Sequence, residues 1–164
     1  MRRAEASKLL PERLQHYLSE RILVSSWYPE VDALEIYRVF AELHGGSEEV
    51  WLNMGRSSAI EHAHHTYQHL IESRDIGRLL QQANVLFRAM HDHGTMRTNV
   101  LAENRLEVTL EGYPVLCPEW TRLLAGYLDG LIVSCGGKTN RSELLEADYA
   151  RKTAKWLLEF EVVS

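Results

Sequence analysis

Lysine is scarce in this chain of 164 residues, and the overall charge is weakly acidic. There are four lysines, and 18 basic residues stand against 23 acidic ones, which gives a net charge of −5. Nucleic acids and anionic membrane surfaces bind clustered Lys and Arg, whereas the longest basic run here is Arg2-Arg3. We therefore expect no nucleic-acid partner.

Long apolar runs and cysteine frameworks are also missing. No stretch approaches the ~20 apolar residues of a membrane-spanning helix, and residues 1–10 lack an apolar core followed by a cleavage site. Cys117 and Cys135 form neither a disulfide framework nor a CxxC metal site. We expect no membrane span, no secretory signal, and a cytoplasmic protein whose thiols are small buried residues.

The sequence lacks the short motifs of several enzyme classes. It contains no P-loop and no G-x-G-x-x-G segment, and its serines stand outside a G-x-S-x-G context. Its hydrophobic content of 45% is ordinary for a globular protein. A chain of this length predicts one domain spanning residues 1–164.

Apolar residues recur at the helical period through the first half of the chain. The predicted helices cover residues 8–20, 29–43, 47–73 and 75–90, with a break in the third near Gly55. Pro29 and Asp75 suit the first residues of their helices, and Gly45-Gly46 suits a helix end. We expect a helical part over about residues 8–93.

After Gly94 the period changes to 2, which is typical of strands. Alternation over residues 96–100 and 106–110, around a turn at Glu103-Asn104, predicts a β-hairpin. Pro118 begins a helix to about Cys135, and strands are predicted over residues 141–148 and 155–163, in a sheet-plus-helix part over about residues 94–163. The expected fold class is α+β, with N-terminal helices packed on a C-terminal antiparallel sheet that carries one glycine-bearing helix.

Four of the eight histidines lie between residues 62 and 69. His62, His65 and His69 fall on one helical stripe, and the spacing of the last two could chelate a metal. The apolar residues of this segment lie opposite, so the stripe should face solvent or an interface. A metal site would need a cleft and a carboxylate or cysteine to complete it, and HExxH is absent, so we predict no metal site, with metal binding by the stripe as the alternative.

His91-Asp92-His93-Gly94 is the second histidine cluster. An Asp between two histidines could orient an imidazole for acid–base catalysis. The same residues suit a helix end, where imidazole complements the helix dipole and glycine terminates the helix. We predict no catalytic residues here.

Two features indicate a binding surface. The aromatic pair in Trp27-Tyr28-Pro29 could line a pocket, anchor a partner, or pack the segment that leads into the second predicted helix against the core. Gly126 and Gly130 lie one turn apart on a predicted helix, where each costs about 1 kcal/mol relative to alanine. Close approach to the sheet, to a partner helix or to a ligand would explain that cost.

The C-terminal half resembles 4-vinyl-reductase-type domains. The segments that carry this resemblance are Gly112-Tyr113-Pro114, Cys117-Pro118, residues 126–131 and residues 159–162. Residues 26–29 and Met54-Gly55-Arg56 resemble a myxobacterial paralogous family of unknown function, and together the likeness covers most of residues 20–163. Such domains are similar in fold to haem–nitric-oxide sensor domains and to transport-particle subunits of the Golgi.

The resemblance implies binding of a small molecule or acyl chain, or subunit assembly, more than catalysis. Vinyl-reductase-type members often carry two cysteines across the final hairpin, whereas residues 148–158 contain none. Haem sensors hold the porphyrin propionates with a Tyr-x-Ser-x-Arg motif, which this sequence lacks. These departures leave the cofactor unknown.

The sequence therefore predicts a small-molecule-sensing or ligand-binding regulatory domain in a bacterial cytoplasmic signalling system. A hydrophobic small molecule would bind between the C-terminal helix and the sheet, against Trp27, Tyr28, Tyr113, Trp120 and Tyr127. A homodimer with Gly126 and Gly130 at its interface is expected. The alternatives are a dimerising assembly module without a ligand and, further off, a His/Asp-dependent enzyme.

Overall fold

The computed structural model describes residues 3–23, 26–66, 68–71 and 75–162, without the side chains of residues 3, 4, 64–66, 69 and 70. The chain groups into two compact units, Met1–Val50 and Trp51–Ser164. That the chain forms a single domain stays a prediction.

The first unit contains α1 (Arg3–Leu9), a 3-10 helix (Glu12–Leu18) and α2 (Glu30–Leu43). The single helix predicted over residues 8–20 is wrong, because Pro11 has no N–H to continue α1 and disfavours helical conformation in the residue before it. Leu10 and Leu14 of this segment are nevertheless buried. The core of this unit consists of Ala6, Leu10, Leu14 and Val39, with Tyr17, Leu18, Ile36 and Leu43 packed against it.

The remaining elements are, in chain order, a run of helices, a β-hairpin, another helix and a second pair of strands. They are α3 (Glu48–Thr66), α4 (Gln68–Ile71), α5 (Ile76–Gln81), α6 (Ala83–Met90), β1 (Thr95–Ala102), β2 (Arg105–Glu111), α7 (Pro118–Ser134), β3 (Gly137–Asp148) and β4 (Thr153–Val162). The helix predicted over residues 75–90 is two helices that meet at Gln82, and β3 begins four residues before the predicted strand. The predicted end of the third helix at residue 73 lies outside the described residues.

The sheet has the strand order β1-β2-β4-β3, and every neighbouring pair is antiparallel. Val108 of β2 and Leu144 of β3 lie on either side of Trp156 in β4. The core face carries Met96, Leu106, Val108, Leu110, Ala154, Trp156, Leu158 and Phe160, all buried. Helix α7 packs on β3 and β4, and α5 and α6 pack on β1, so the predicted α+β class is confirmed.

The other sheet face is charged. Glu107 pairs with Lys155 across β2 and β4, and Glu159 pairs with Arg105 and Arg141 from its two neighbouring strands. Val162, the last residue of β4, is 61% exposed. Among the described residues, no helix combines the length and the apolar character needed to cross a bilayer.

Candidate functional site

Helices α3 and α7 are in backbone contact at three glycines. A Cβ on Gly126 would lie 2.0 Å from the carbonyl oxygen of Leu52, and one on Gly55 would lie 1.9 Å from that of Leu123. A Cβ on Gly130 would lie 2.6 Å from the carbonyl oxygen of Arg56. Helix α3 of the same chain therefore lies against this side of α7, and a role of Gly126 and Gly130 at a dimer interface stays a prediction.

The break predicted at Gly55 is wrong for the same reason. Helix α3 continues through this residue, and its missing side chain lets α7 approach. Ala59 follows one turn later, with its Cβ against the position of Gly130. A stripe of small residues on α3 thus faces α7, and His62 lies about one turn further along that stripe.

His62 meets α7 and α6 at a single hydroxyl group. Its Nδ1 lies 3.1 Å from the hydroxyl oxygen of Tyr127, and this hydroxyl donates to the sulfur of Met90 at 3.7 Å. We call His62, Met90 and Tyr127 the hydroxyl junction. Because all three side chains are half-buried, the junction reaches the surface of the second unit.

The imidazole of His62 is neutral at neutral pH. Burial lowers the pKa of His62, and the nearby charge of His91 lowers it further, while Glu61 acts in the opposite direction. The stripe was expected to face solvent or an interface, and His62 is half-buried against α7 because the small residues of α3 turn this part of the helix towards that helix. The side chains of His65 and His69 lie outside the described residues.

Four aromatic rings pack beside the junction, and we call them the aromatic cluster. His91, the residue after Met90, stacks on Phe87 with ring centroids 4.3 Å apart. Its ring also meets Tyr113 edge-on at 5.3 Å and Trp120 at 6.5 Å. Its Nδ1 lies 3.2 Å from the hydroxyl of Tyr113, so this histidine has both a packing and a polar partner.

The chain reverses after α6 to bring these rings together. His91 caps the end of α6, and Gly94 has a φ of +84°, a conformation that L residues rarely adopt. A Cβ on Gly94 would lie 3.2 Å from both Phe87 and Tyr113. The predicted helix end at residues 91–94 is confirmed.

Asp92 contacts its near neighbours at the end of α6. The carboxylate of Asp92 lies 3.6 Å from Nε2 of His93, and both side chains are more than half exposed. Arg88 donates a hydrogen bond to the backbone carbonyl of Asp92. These contacts are those of a helix end.

The predicted aromatic lining is divided between the two units. Tyr113 and Trp120 lie in the aromatic cluster with ring centroids 5.8 Å apart, and Tyr127 forms the junction beside it. Trp27 and Tyr28 lie in the first unit, where Trp27 is 64% exposed and the Tyr28 hydroxyl accepts a hydrogen bond from the backbone N–H of Leu23. The lining role of all five residues stays a prediction.

Sequence reasoning missed four residues that complete the site. Phe87 and Met90 were placed only within the helix predicted over residues 75–90, His91 at the helix end, and His62 on a stripe facing solvent or an interface. The spacing of Gly55, Ala59 and His62 by about one helical turn was the sequence signal that could have placed His62 beside α7. Among the described residues, no group of three His, Cys, Asp or Glu side chains could hold a metal ion.

Comparison with solved structures shows the fold. A structure from work on haem distortion in the H-NOX family has a TM-score of 0.73 and a sequence identity of 12%. The match covers 99% of this chain and 88% of the H-NOX chain. An oxygen-binding H-NOX domain related to soluble guanylate cyclases has a TM-score of 0.72 and 12% identity, over 97% and 86%. An H-NOX protein from K. algicida has a TM-score of 0.63 and 11% identity, over 92% and 86%.

At these identities the likeness establishes a shared α+β fold. No protein-family model matches the chain, and no curated protein matches it in sequence.

The rings of the aromatic cluster, as they stand, leave no space between them for a haem, the group named in work on one of these neighbours. A macrocycle inserted between two rings of the aromatic cluster would hold their planes about 7 Å apart, twice the optimal carbon–carbon contact distance. His91 instead stacks on Phe87 at 4.3 Å and touches Tyr113 and Trp120. The rings around that imidazole are therefore already in contact with it.

Proposed function

We propose that this chain is a ligand-binding sensor domain of a bacterial cytoplasmic signalling system. Its ligand is an uncharged hydrophobic small molecule that binds over the hydroxyl junction, beside the aromatic cluster. The observation that carries the proposal is the meeting of α3, α6 and α7 at the Tyr127 hydroxyl on a half-exposed surface. The likeness to H-NOX domains, one of which is described as oxygen-binding, supports it.

The chemistry of the site favours an uncharged, largely apolar ligand. His62 is neutral at neutral pH, and Met90 offers an adaptable thioether surface. Tyr113 and Trp120 are buried behind His91 and hold it in place. The Tyr127 hydroxyl and the His62 imidazole supply the few polar groups that orient a ligand in a mostly apolar site.

Such a site can report binding because it joins three helices. A ligand that takes the Tyr127 hydroxyl as its partner competes with His62 and with Met90. Binding would then change the contacts that hold α6 against α3 and α7. This coupling needs no chemical step, and it suits a regulatory domain.

The test combines native mass spectrometry with a matched pair of variants. Protein purified from its own source should carry an added organic mass that denaturation releases, and Tyr127→Phe should lose it. Tyr149→Phe, which removes a hydroxyl 3.4 Å from that of Thr121, is the control and should retain it. Equal ligand occupancy in the two variants would place the ligand elsewhere, and a wild-type chain of bare mass would contradict the proposal.

Assembly without a ligand is the second candidate, and exposed apolar residues in the first unit favour it. Ile22, Leu23, Trp27 and Val31 are each about half exposed or more, and such clustered apolar surface marks interaction sites. The homodimer expected from the sequence belongs here, as do the relations to 4-vinyl-reductase-type domains and to the myxobacterial family. Sedimentation of wild type and Trp27→Ser tests it, since loss of dimer in the variant is expected.

A further inference from the structure

Strand β3 forms an edge of the sheet, and in the described part of the chain no strand pairs with its outer side. With 12 residues it is longer than the other three strands, and none of its residues is buried. An exposed edge of this kind presents N–H and C=O groups that another strand can bind. The opposite edge is partly covered, because Asn84 of α6 accepts a hydrogen bond from the backbone N–H of Met96 in β1.

The charged side chains of β3 share the outer face of the sheet. They are Lys138, Arg141, Glu143, Glu146 and Asp148, each opposite an odd-numbered residue of β4. The strand has two bulges, one between Thr139 and Arg141 and one between Leu144 and Glu146. Each bulge inserts one extra residue, and together they keep the five charged residues on one face. Along this edge the basic residues therefore precede the acidic ones.

Such an order of charges is complementary to itself when the strand runs antiparallel to a second copy. We propose that two copies of this chain pair along β3, with Ser142 opposite Ser142 of the second copy. Arg141 then lies opposite the second copy's Glu143, and Lys138 lies opposite its Glu146. Two-fold symmetry makes each of these pairs occur twice. Opposite charges that face each other across two strands stabilise the pairing.

The charges also select Ser142 as the residue on the two-fold axis. A shift of the axis by one residue places either Arg141 or Glu143 opposite its own copy, and like charges in that position are destabilising. Ser142 is exposed and its side chain is small and uncharged, so it fits at the axis. Arg141 and Glu143 contact each other within one chain, with both side chains nearly half exposed. An exposed ion pair contributes little to stability, so exchanging it for pairs across the axis costs little.

The pairing also covers an exposed apolar side chain. Leu145 lies at the second bulge and is 45% exposed. In the proposed register it lies opposite Thr139 of the second copy. Two four-stranded sheets thereby join into one continuous sheet. This interface goes beyond the proposed function, because it needs no ligand and uses no residue of the hydroxyl junction.

Sedimentation velocity over a dilution series measures the dimer. Wild type should dimerise, and added salt should weaken the dimer because exposed charges are screened. Arg141→Glu places four carboxylates around the axis and should weaken the dimer at least about tenfold. Adding Glu143→Arg to this variant should restore the dimer, because opposite charges then face each other again. Arg97→Glu, the same change at an exposed arginine of β1, should match wild type.

A disulfide across the axis tests the register independently of the charge variants. Residues directly opposite each other in antiparallel strands have Cα atoms about 4.5 to 5.5 Å apart, which a disulfide can span. In a Cys117→Ser background, Ser142→Cys should therefore cross-link two copies under mild oxidation. Asn99→Cys, at an exposed position of β1, is the control and should stay uncross-linked.

A wild-type chain that is monomeric at every concentration would overturn the proposal. Equal dimer affinity in Arg141→Glu and Arg97→Glu would do the same, as would equal cross-linking of Ser142→Cys and Asn99→Cys. A dimer that is lost in Trp27→Ser and kept in Arg141→Glu would also refute it, and would place the interface at the exposed apolar residues of the first unit.

Discussion

Replacing Gly126 by alanine tests the backbone contact between α3 and α7. The added Cβ would lie 2.0 Å from the carbonyl oxygen of Leu52 and 2.7 Å from its carbonyl carbon. Both are main-chain atoms of a helix, so relief requires a shift of α3 or α7 as a whole. Overpacking of this kind costs about 1 to 3 kcal/mol, and a rigid backbone neighbour puts this position at the upper end.

The net effect includes the better helix propensity of alanine. Removing a glycine from a helix interior gains about 1 kcal/mol, so we expect Gly126→Ala to lose about 2 kcal/mol of unfolding free energy. For a chain of this length that lowers Tm by about 4 to 8 °C. Urea unfolding followed by tryptophan fluorescence and a thermal melt followed by circular dichroism would measure it.

Gly77→Ala is the matched control. Gly77 also lies in a helix, and a Cβ added there would meet only the Asp75 carboxylate, at an ordinary contact distance of 3.6 Å. This variant should be as stable as wild type or up to about 1 kcal/mol more stable. If Gly126→Ala unfolds at the same urea concentration as Gly77→Ala, the two helices are not in backbone contact and the placement of His62 beside Tyr127 loses its basis.

Three further predictions concern His62, Cys135 and Asp75. Burial lowers the pKa of His62, so the stability that this neutral imidazole contributes is complete above about pH 6.5 and is lost as pH falls through the folded-state pKa. In urea unfolding at several pH values, His62→Gln should therefore lose less unfolding free energy on acidification than wild type. The same pH dependence of unfolding free energy in both proteins would contradict this. Burial raises the pKa of Cys135 to about 11. In a Cys117→Ser background, a thiol reagent at about pH 8 should therefore label Cys135 only after the protein unfolds. Rapid labelling of the native protein would disprove the burial of Cys135. Asp75 accepts a hydrogen bond from the backbone N–H of Arg78 at 2.8 Å. In urea unfolding, Asp75→Ala should therefore lose about 1 kcal/mol of unfolding free energy, and Asp75→Asn should lose less. Equal stability of the two variants would argue against capping of the helix by Asp75.

Elements with local signals were predictable from the sequence. The hairpin follows from alternation around Glu103-Asn104, and its register places Val100 opposite Leu106. Pro118 begins α7 as expected, because its missing N–H has no partner at that position. Asp75 caps α5 with its side chain. In each case the determining interaction lies within a few residues along the chain.

Elements determined by distant contacts were not predictable in the same way. Gly126 and Gly130 stood out as costly, but the helix that fills their open side lies about 70 residues away in sequence. A hydrophobic pattern places His62 on the polar side of α3, whereas small residues at Gly55 and Ala59 determine which side meets α7. Helix packing against glycine thus overrides the phase that apolar residues alone indicate.

The same limit applies to the candidate site. Tyr113, Trp120 and Tyr127 were chosen because aromatic residues line pockets, and the structure brings the first two into ring contact. Their polar partners His91 and His62 belong to other elements, so no spacing in the sequence connects them. A residue pattern can nominate an aromatic lining, but the hydrogen bonds that make it a site appear only after folding.

The central claim is that an uncharged organic ligand binds at the hydroxyl junction, and native mass spectrometry of protein from its own source tests it most directly. We predict an added mass on the chain or its dimer, identified as organic, released by denaturation and absent from Tyr127→Phe. A chain or dimer of bare mass in both wild type and variant would contradict the account, and the assembly function would then take its place.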